Sequence, residues 1–282
     1  MKASPTVSII MPTFNRAYTI KDAINSIVDQ SYKNWELIVV DDGSTDNTKS
    51  LINSIGDERI KYLSQHNQGP AVARNFGISE AKGKWIAYLD SDNEFLSKYL
   101  EVMLDSLDIH PRVVFAIPRL NYSLELYEKG KLIRSIDHSS KIPVNLSIED
   151  IFLKTFHFDT NGLIHLRELF DEGIKWDKAM CGMEDWELAL TIGDKYPEGF
   201  LYVPVKLANY HQRYGGDGMV SNHNYQEIAD AFEQIYQKHR NDSLLAGQDW
   251  YPAKVLKWQK LQKESDEGKQ PPFYQYYFQD ID

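Results

Sequence analysis

The sequence is short of cysteine, of glycine-rich phosphate loops, of long apolar runs and of basic residues, and each shortage removes a class of protein. Cys181 is the only cysteine, so no internal disulfide framework exists, and the residue reads as a packed thiol in a reducing compartment. The opening MKASPTVSIIMPTFN offers only a brief apolar run before Pro12, too little for a signal peptide. Nowhere is there a stretch of about 18 apolar residues that could span a bilayer. The chain is therefore expected in the cytoplasm, with peripheral attachment to a membrane surface left open. Acidic residues number 41 against 31 basic, a formal charge of −10, which argues against nucleic acid as a partner. Any phosphate must then be met by a metal or by a local basic residue. No Gly-x-Gly-x-x-Gly follows the first apolar run and no Gly-Lys-Ser/Thr loop occurs, which removes dinucleotide and P-loop folds. A length of 282 residues with 42% hydrophobic content leaves ample material for a core.

What the chain does have is a series of apolar runs that end in acid. Trp85 to Leu89 (WIAYL) reads as a buried strand stopped by Asp90, Ser91 and Asp92. Period-two alternation would send Asp90 and Asp92 to one face, roughly 5 to 6 Å apart. Two carboxylates at that spacing repel by about 2 to 3 kcal/mol at an effective dielectric near 20, so a cation is expected between them. Oxygen ligands suit Mg2+ or Mn2+, which are commonly held by one or two carboxylates together with substrate phosphates. A solvated turn is the plain alternative, since Asp, Ser and Asn are ordinary turn residues.

The same pattern recurs upstream. Val7 to Met11 is followed by a helical pattern within Tyr18 to Gln30, and Trp35 to Val40 stops at Asp41 and Asp42 before a helix carrying Leu51, Ile52 and Ile55. Ile60 to Leu63 and a helix over Gly69 to Ala81 complete the series, with Pro70 near the helix start. Strands alternating with helices predict an α/β fold with a mostly parallel, Rossmann-like sheet and helices on both faces. In such sheets ligands bind beyond the carboxyl ends of the strands. There the chain places Thr13, Asn15 and Arg16, then Asp41 and Asp42, then Asp90 and Asp92. Carboxylates can accept from base N–H groups and ribose hydroxyls and can bind an ion that neutralises a diphosphate, so a nucleotide joined to a second group is the expected ligand.

After a helix from Ser97 and a strand over Val113 to Leu120 the alternation fades. Tyr122 to Ile136 reads as a hairpin about Glu128, Lys129 and Gly130, and Ser147 to Asp150 as a helix-opening capping signal. Leu163 to Leu166 and Phe200 to Val203 are short strands around a helix from Glu184 to Lys195. Helical spacing returns at Ile228, Ala229, Phe232, Ile235 and Tyr236 and again at Leu256 to Leu261, and Glu264 to Gln270 reads as a linker. The aromatic tail from Phe273 to Phe278 either folds back or meets a partner or membrane surface. These shifts divide the chain into a half over 1–110 that carries the acidic strand ends, a mixed half over 111–224 expected to supply the acceptor side, and a helical extension over 225–282, through which an oligomer could form.

Taken in order, VSIIMPTFNR at 7–16, DDGSTD at 41–46, NQGPAVARN at 67–75, DSD at 90–92 and ED at 184–185 resemble the family 2 inverting glycosyltransferases of GT-A fold. The resemblance is dense over 5–110 and thinner to about 220. It implies transfer of a sugar from a nucleotide-diphosphate donor, commonly a UDP-sugar, to an acceptor hydroxyl on a glycan, a lipid-linked sugar or a protein. It assigns Pro12, Thr13 and Asn15 to the edge of the nucleotide pocket and Asp42 to the N3–H of uracil or thymine. Arg74 falls near the base or phosphates, where the motif-free reading is a solvated helix arginine. Asp90 and Ser91 belong to the nucleotide side, Asp92 is the direct ligand of Mn2+ or Mg2+, and Asp185, with Glu184 second, is the general base. Their plain reading is a pair of acids favoured at a helix N-terminus. Asp46 reads equally well as a helix N-cap.

The segment YHQRYGGDGMVS at 210–221 departs from the family pattern. His211 precedes Arg213, the reverse of the usual order, so either could meet the diphosphate, and His211 is carried as a metal ligand against an ordinary strand or loop histidine. Gly215, Gly216 and Gly218 suit a mobile lid or a tight turn. Two rivals stand beside this reading. One is a nucleotide-sugar-binding scaffold without turnover, and the other is a nucleotidyltransferase, which would carry a glycine-rich basic loop that MPTFNRAYT lacks.

Overall fold

Val7, Ile9 and Met11 face one side of the first strand and Ile10 the other, and all four are fully buried, so this strand must be covered on both faces. In the computed structural model, which describes residues 4–128, 131–137, 139, 146–147, 150, 159–180, 182–214, 225–241 and 250–267, that strand is central. β1 (Val7–Thr13) pairs in parallel with β2 (Trp35–Asp41) and β4 (Trp85–Tyr88), and β3 (Ile60–Ser64) pairs in parallel with β2. On one face pack α1 (Ile20–Val28), α2 (Thr48–Ser54) and α4 (Tyr99–Asp108). On the other pack α3 (Pro70–Ser79), α5 (Glu168–Asp171), α6 (Glu184–Lys195), α7 (Tyr225–His239) and α8 (Trp250–Asp266). The α/β architecture expected from the alternation is the one observed.

The sheet does not stop where the alternation fades. β8 (Ile164–Leu166) joins β4 antiparallel, β6 (Phe115–Glu128) joins β8, and β9 (Phe200–Tyr214) runs parallel to β6, with β5 (Glu94–Phe95) at its far edge. The order is β3-β2-β1-β4-β8-β6-β9-β5, and β7 (Lys131–Asp137) lies beside the second half of β6. One sheet thus carries the acidic strand ends and the residues of the second half together. Helix α7 is tied to α6 by Glu187, 1% exposed, whose Oε1 lies 2.5 Å from Lys238 Nζ and 3.3 Å from His239 Nε2.

Four expectations change. β4 ends at Tyr88, and the backbone then turns, with Asn93 N–H donating to the Asp90 carbonyl at 3.1 Å, so period-two alternation does not relate Asp90 to Asp92. β9 runs on to Tyr214 instead of ending at Val203, because Pro204 sits where the register with β6 shifts and no ladder bond is lost. β6 likewise joins the expected strand and hairpin arm into one element. Helix α8 continues to Asp266, through the first part of the expected linker. Ser147 and Asp150 do exchange the reciprocal bonds of a capping box. The expectations on Cys181, on the glycines at 215–218, on the turn at 129–130 and on the aromatic tail lie outside the described residues. Among the described residues, no helix is long and apolar enough to cross a membrane.

Gly83 sets the entry to β4. A Cβ there would lie 2.5 Å from Ser8 N and 2.7 Å from the Val7 carbonyl carbon, and its own N–H donates to Ser8 Oγ at 2.8 Å. Gly83→Ala is expected to cost about 1 to 3 kcal/mol by forcing β4 away from β1, read as a lower denaturant midpoint at unchanged slope. An unchanged midpoint would contradict the close approach.

Candidate active site

At the carboxyl end of β2 two neighbouring aspartates are put to different uses. Asp41 is internal to the fold: its carboxylate accepts Ser44 N–H and Tyr62 O–H, each at 2.8 Å, and burial together with that bond pushes the Tyr62 phenol up to about 12. Asp42 accepts Gln65 Nε2–H at 2.7 Å, Gln68 N–H at 2.9 Å and Gly69 N–H at 2.8 Å. Gly69, at φ +89°, makes that loop path accessible without strain. A carboxylate has about four lone-pair sites, so Asp42 keeps one for a ligand. Beside it Pro12 and Thr13 line the crevice, and Thr13 Oγ1 is buried with no hydrogen-bond partner. Asn15 does not line it. At φ +52° its N–H donates to Ser44 Oγ and its Oδ1 accepts Thr45 N–H, both at 2.8 Å, so it stitches two loops together instead. Asp46 is likewise architectural, accepting from Thr48 N–H and Ala17 N–H.

The floor is built on Arg74 of α3, which is 5% exposed and so is not the solvated helix arginine that its position alone would allow. Its Nη2 donates to Asp90 Oδ1 at 2.8 Å, its Nη1 lies 3.8 Å from Glu184 Oε1, and its guanidinium stacks over Trp176 at 4.5 Å. The next residue, Asn75, holds Trp176 by its backbone in both directions, at 2.8 and 3.0 Å. Met183, in the left-handed region at φ +57°, turns the chain so that Glu184 and Asp185 open α6. Asn161 bridges from the second half: its Oδ1 accepts Asp90 N–H at 2.8 Å, and its side-chain amide reaches both Asp90 and Asp159. Asp159, which the sequence reading did not single out, stands beside Asn161. Burial, then the charges of Asp185 and Asp90, push its carboxyl up to about 7.

The far end of the crevice carries Asp92, 7% exposed. Its Oδ2 lies 3.4 Å from Arg16 Nε and 3.9 Å from Arg213 Nη1, and Arg213 Nη1 also donates to the Asp92 carbonyl at 2.6 Å. Burial raises the Asp92 carboxyl above the usual range against the pull of Arg16. His211 donates its backbone N–H to Asn93 Oδ1 at 2.7 Å, and its Nδ1 lies 2.8 Å from Glu125 Oε1. Pro12, Thr13, Asp42, Arg74, Asp90, Ser91 and Asp92 therefore share one crevice of about 360 Å³. Glu184 reaches it through Arg74, and His211 adjoins it through Asn93. Among the described residues no three acidic, His or Cys side chains converge as a closed cage. One carboxylate and an adjacent histidine instead suit a hard divalent ion that takes its remaining ligands from a diphosphate and water.

Parallel strands ending in acidic loops, with a second half folded into the same sheet, define a GT-A protein. The chain belongs to glycosyl transferase family 2, whose model matches residues 8–172. It is 43% identical over 102 residues to the Escherichia coli UDP-Glc:alpha-D-GlcNAc-diphosphoundecaprenol beta-1,3-glucosyltransferase WfgD, covering 36% of this chain and 40% of that one. An uncharacterized glycosyltransferase of Rickettsia prowazekii is 42% identical over 182 residues, covering 61% and 56%. The chain spans 21% of the length of a matching Rickettsia felis protein, so it covers less than two thirds of these curated relatives. Among solved structures, Staphylococcus aureus TarS residues 1–349 with UDP-GlcNAc shares the fold at a TM-score of 0.69 and 19% identity, covering 90% of this chain and 72% of TarS. The Pyrobaculum calidifontis mannosyltransferase PcManGT with GDP-Man and Mn2+ matches at 0.57 and 16% identity, covering 96% and 78%.

Asp159 generates a pH prediction. A carboxyl whose native pKa lies near 7 against about 3.9 unfolded binds its proton more tightly when folded, so stability is lost as pH rises through that window. Asp159→Asn should gain stability relative to the parent between pH 4 and 7 and hold the gain above it, as followed by thermal melts. A difference independent of pH would contradict the assignment.

Proposed function

We propose that the protein is an inverting glycosyltransferase that moves a sugar from a nucleotide diphosphate, UDP by preference, to an acceptor hydroxyl by single displacement assisted by a divalent metal. Residues 1–110 hold the donor, 111–224 supply the acceptor side and the base, and 225–282 extend the fold. The observation that carries this reading is the convergence of Asp42, Arg74, Asp90 and Asp92 on one crevice.

The remaining acceptor site on Asp42 suits the N3–H of uracil, with Pro12 and Thr13 at the edge of the base. Asp90, fixed by Arg74 and Asn161, is left to face ribose hydroxyls, with Ser91 beside it. Asp92 with His211 would hold Mn2+ or Mg2+, which when bound neutralises the leaving diphosphate. Arg16 and Arg213 add fixed positive charge at the same end, where negative charge grows as the sugar departs. Asp185 takes the proton from the attacking hydroxyl, and Arg74 holds Glu184 so that the start of α6 keeps its place beside the donor. Inversion needs only one carboxylate, since the nucleophile is the acceptor itself. The E. coli relative is named for a glycan on undecaprenol diphosphate, and a lipid-linked or surface glycan is the acceptor class proposed here.

Release of UDP from UDP-glucose and UDP-GlcNAc with Mn2+ should fall about 100- to 10,000-fold in Asp185→Asn, while UDP still raises the melting temperature. Equal release by both proteins would remove the base assignment, and no release by the parent would favour a scaffold without turnover. In thermal shift, UDP with Mn2+ should stabilise more than UDP alone and more than GDP with Mn2+. A shift indifferent to the metal would contradict the role of Asp92.

A further inference from the structure

Glu125 lies at the centre of a group of contacts that the proposed reaction has not used. β6 and β9 run in parallel with Ser123 opposite His211 and Glu125 opposite Arg213, so these side chains share one face of the sheet. Glu125 is 8% exposed. Its Oε1 lies 2.8 Å from His211 Nδ1, and its Oε2 accepts Arg213 Nε–H at 3.2 Å and Tyr127 O–H at 3.0 Å. Ser123 Oγ sits 3.0 Å from the same Nδ1.

A carboxylate only accepts, so the Nδ1 facing Glu125 must carry the hydrogen, and in the neutral ring the lone pair is then on Nε2. The other oxygen fixes Arg213, whose Nη1 clasps the Asp92 carbonyl. Both residues of β9 that flank Asp92 are thereby oriented by a single carboxylate. Asn93 completes the link, accepting His211 N–H on Oδ1 and donating from Nδ2 to Asp92 Oδ1 at 3.3 Å.

We propose that Glu125 is a positioning residue for the metal–diphosphate end of the site: it sets the His211 tautomer that offers Nε2 to a divalent ion and clamps Arg213 beside Asp92. The inference rests on the donor reading given under the proposed function, and it resolves the ambiguity between His211 and Arg213 by giving each a place. Histidine ligands are commonly held this way, with the second ring nitrogen donating to a carboxylate, and loss of such a partner typically weakens metal binding about 10- to 100-fold. A carboxylate serving only to join two strands would affect melting and not metal affinity.

The test is the affinity of Mn2+ for the UDP-saturated protein, read from the electron paramagnetic resonance of free Mn2+, which needs no turnover. Glu125→Gln should weaken Mn2+ binding roughly 10- to 100-fold. His211→Ala should weaken it comparably, and the double variant should be less than about threefold weaker than His211→Ala, because the two act through one path. Glu125→Asp keeps the charge and should recover part of the loss, and it serves as the second variant if the glutamine form melts early. Mn2+ binding within twofold of the parent in Glu125→Gln, or losses that multiply in the double variant, would overturn the inference while leaving the donor site standing. Failure of the parent to bind UDP at all would instead overturn the donor reading.

Discussion

A buried guanidinium constrains how the two halves of this molecule meet. Arg74 is 5% exposed, and a charge so enclosed costs several kcal/mol unless neighbours answer it. The answers come from separate parts of the chain: Asp90 after β4, Glu184 at the start of α6, and the π face of Trp176 in the segment between α5 and α6. Asn75 fastens that segment to α3 by its backbone, and Tyr88, under Trp176, is itself bonded to His165 at 2.7 Å. Burial holds His165 down at about 4, so it is neutral, accepts the tyrosine hydrogen on Nε2 and donates from Nδ1 to Leu166 O. The start of α6 is therefore positioned by the same residue that fixes Asp90.

The opposite end of the crevice follows the same electrostatic logic with a different outcome. The chain is acidic as a whole, yet Arg16 and Arg74 line one pocket and Arg213 reaches Asp92 at its end, each beside a carboxylate. Such pairing limits the cost of burying either sign and keeps the local charge near balance until a ligand enters. In the reaction proposed, a diphosphate with its counter-ion would add charges of both signs at once.

Much of this was legible in the sequence, for physical reasons that differ by element. β1 to β4 and their helices have strict apolar periods, and Asp42, Asp90 and Asp92 stand at strand ends, where a parallel sheet gathers them whatever the details of register. Arg74 was placed by its motif, although nothing local distinguishes a buried helix arginine from an exposed one. Glu125, Asn161 and Asp159 were not found, because their roles depend on which residues of β6, β8 and β9 lie opposite one another, a long-range property that no local period carries. The signal available for Glu125 was the polar alternation Asn121, Ser123, Glu125 matched by Asn209, His211, Arg213. The placing of Asn15 was not legible either, because a left-handed turn, invisible in the motif, directs its amide oxygen to Thr45. Pro204 concealed the length of β9 by sitting in a bulge.

The central claim is that a nucleotide diphosphate lies between Asp42 and Asp92 with a divalent ion at the latter. A crystal structure with UDP and Mn2+, with the metal located by its anomalous scattering, tests it directly. The account predicts the pyrimidine against Asp42 and a manganese peak at about 2.0 to 2.3 Å from an Asp92 carboxylate oxygen, bridging to the diphosphate. A nucleotide bound outside this crevice, or manganese remote from Asp92, would contradict it.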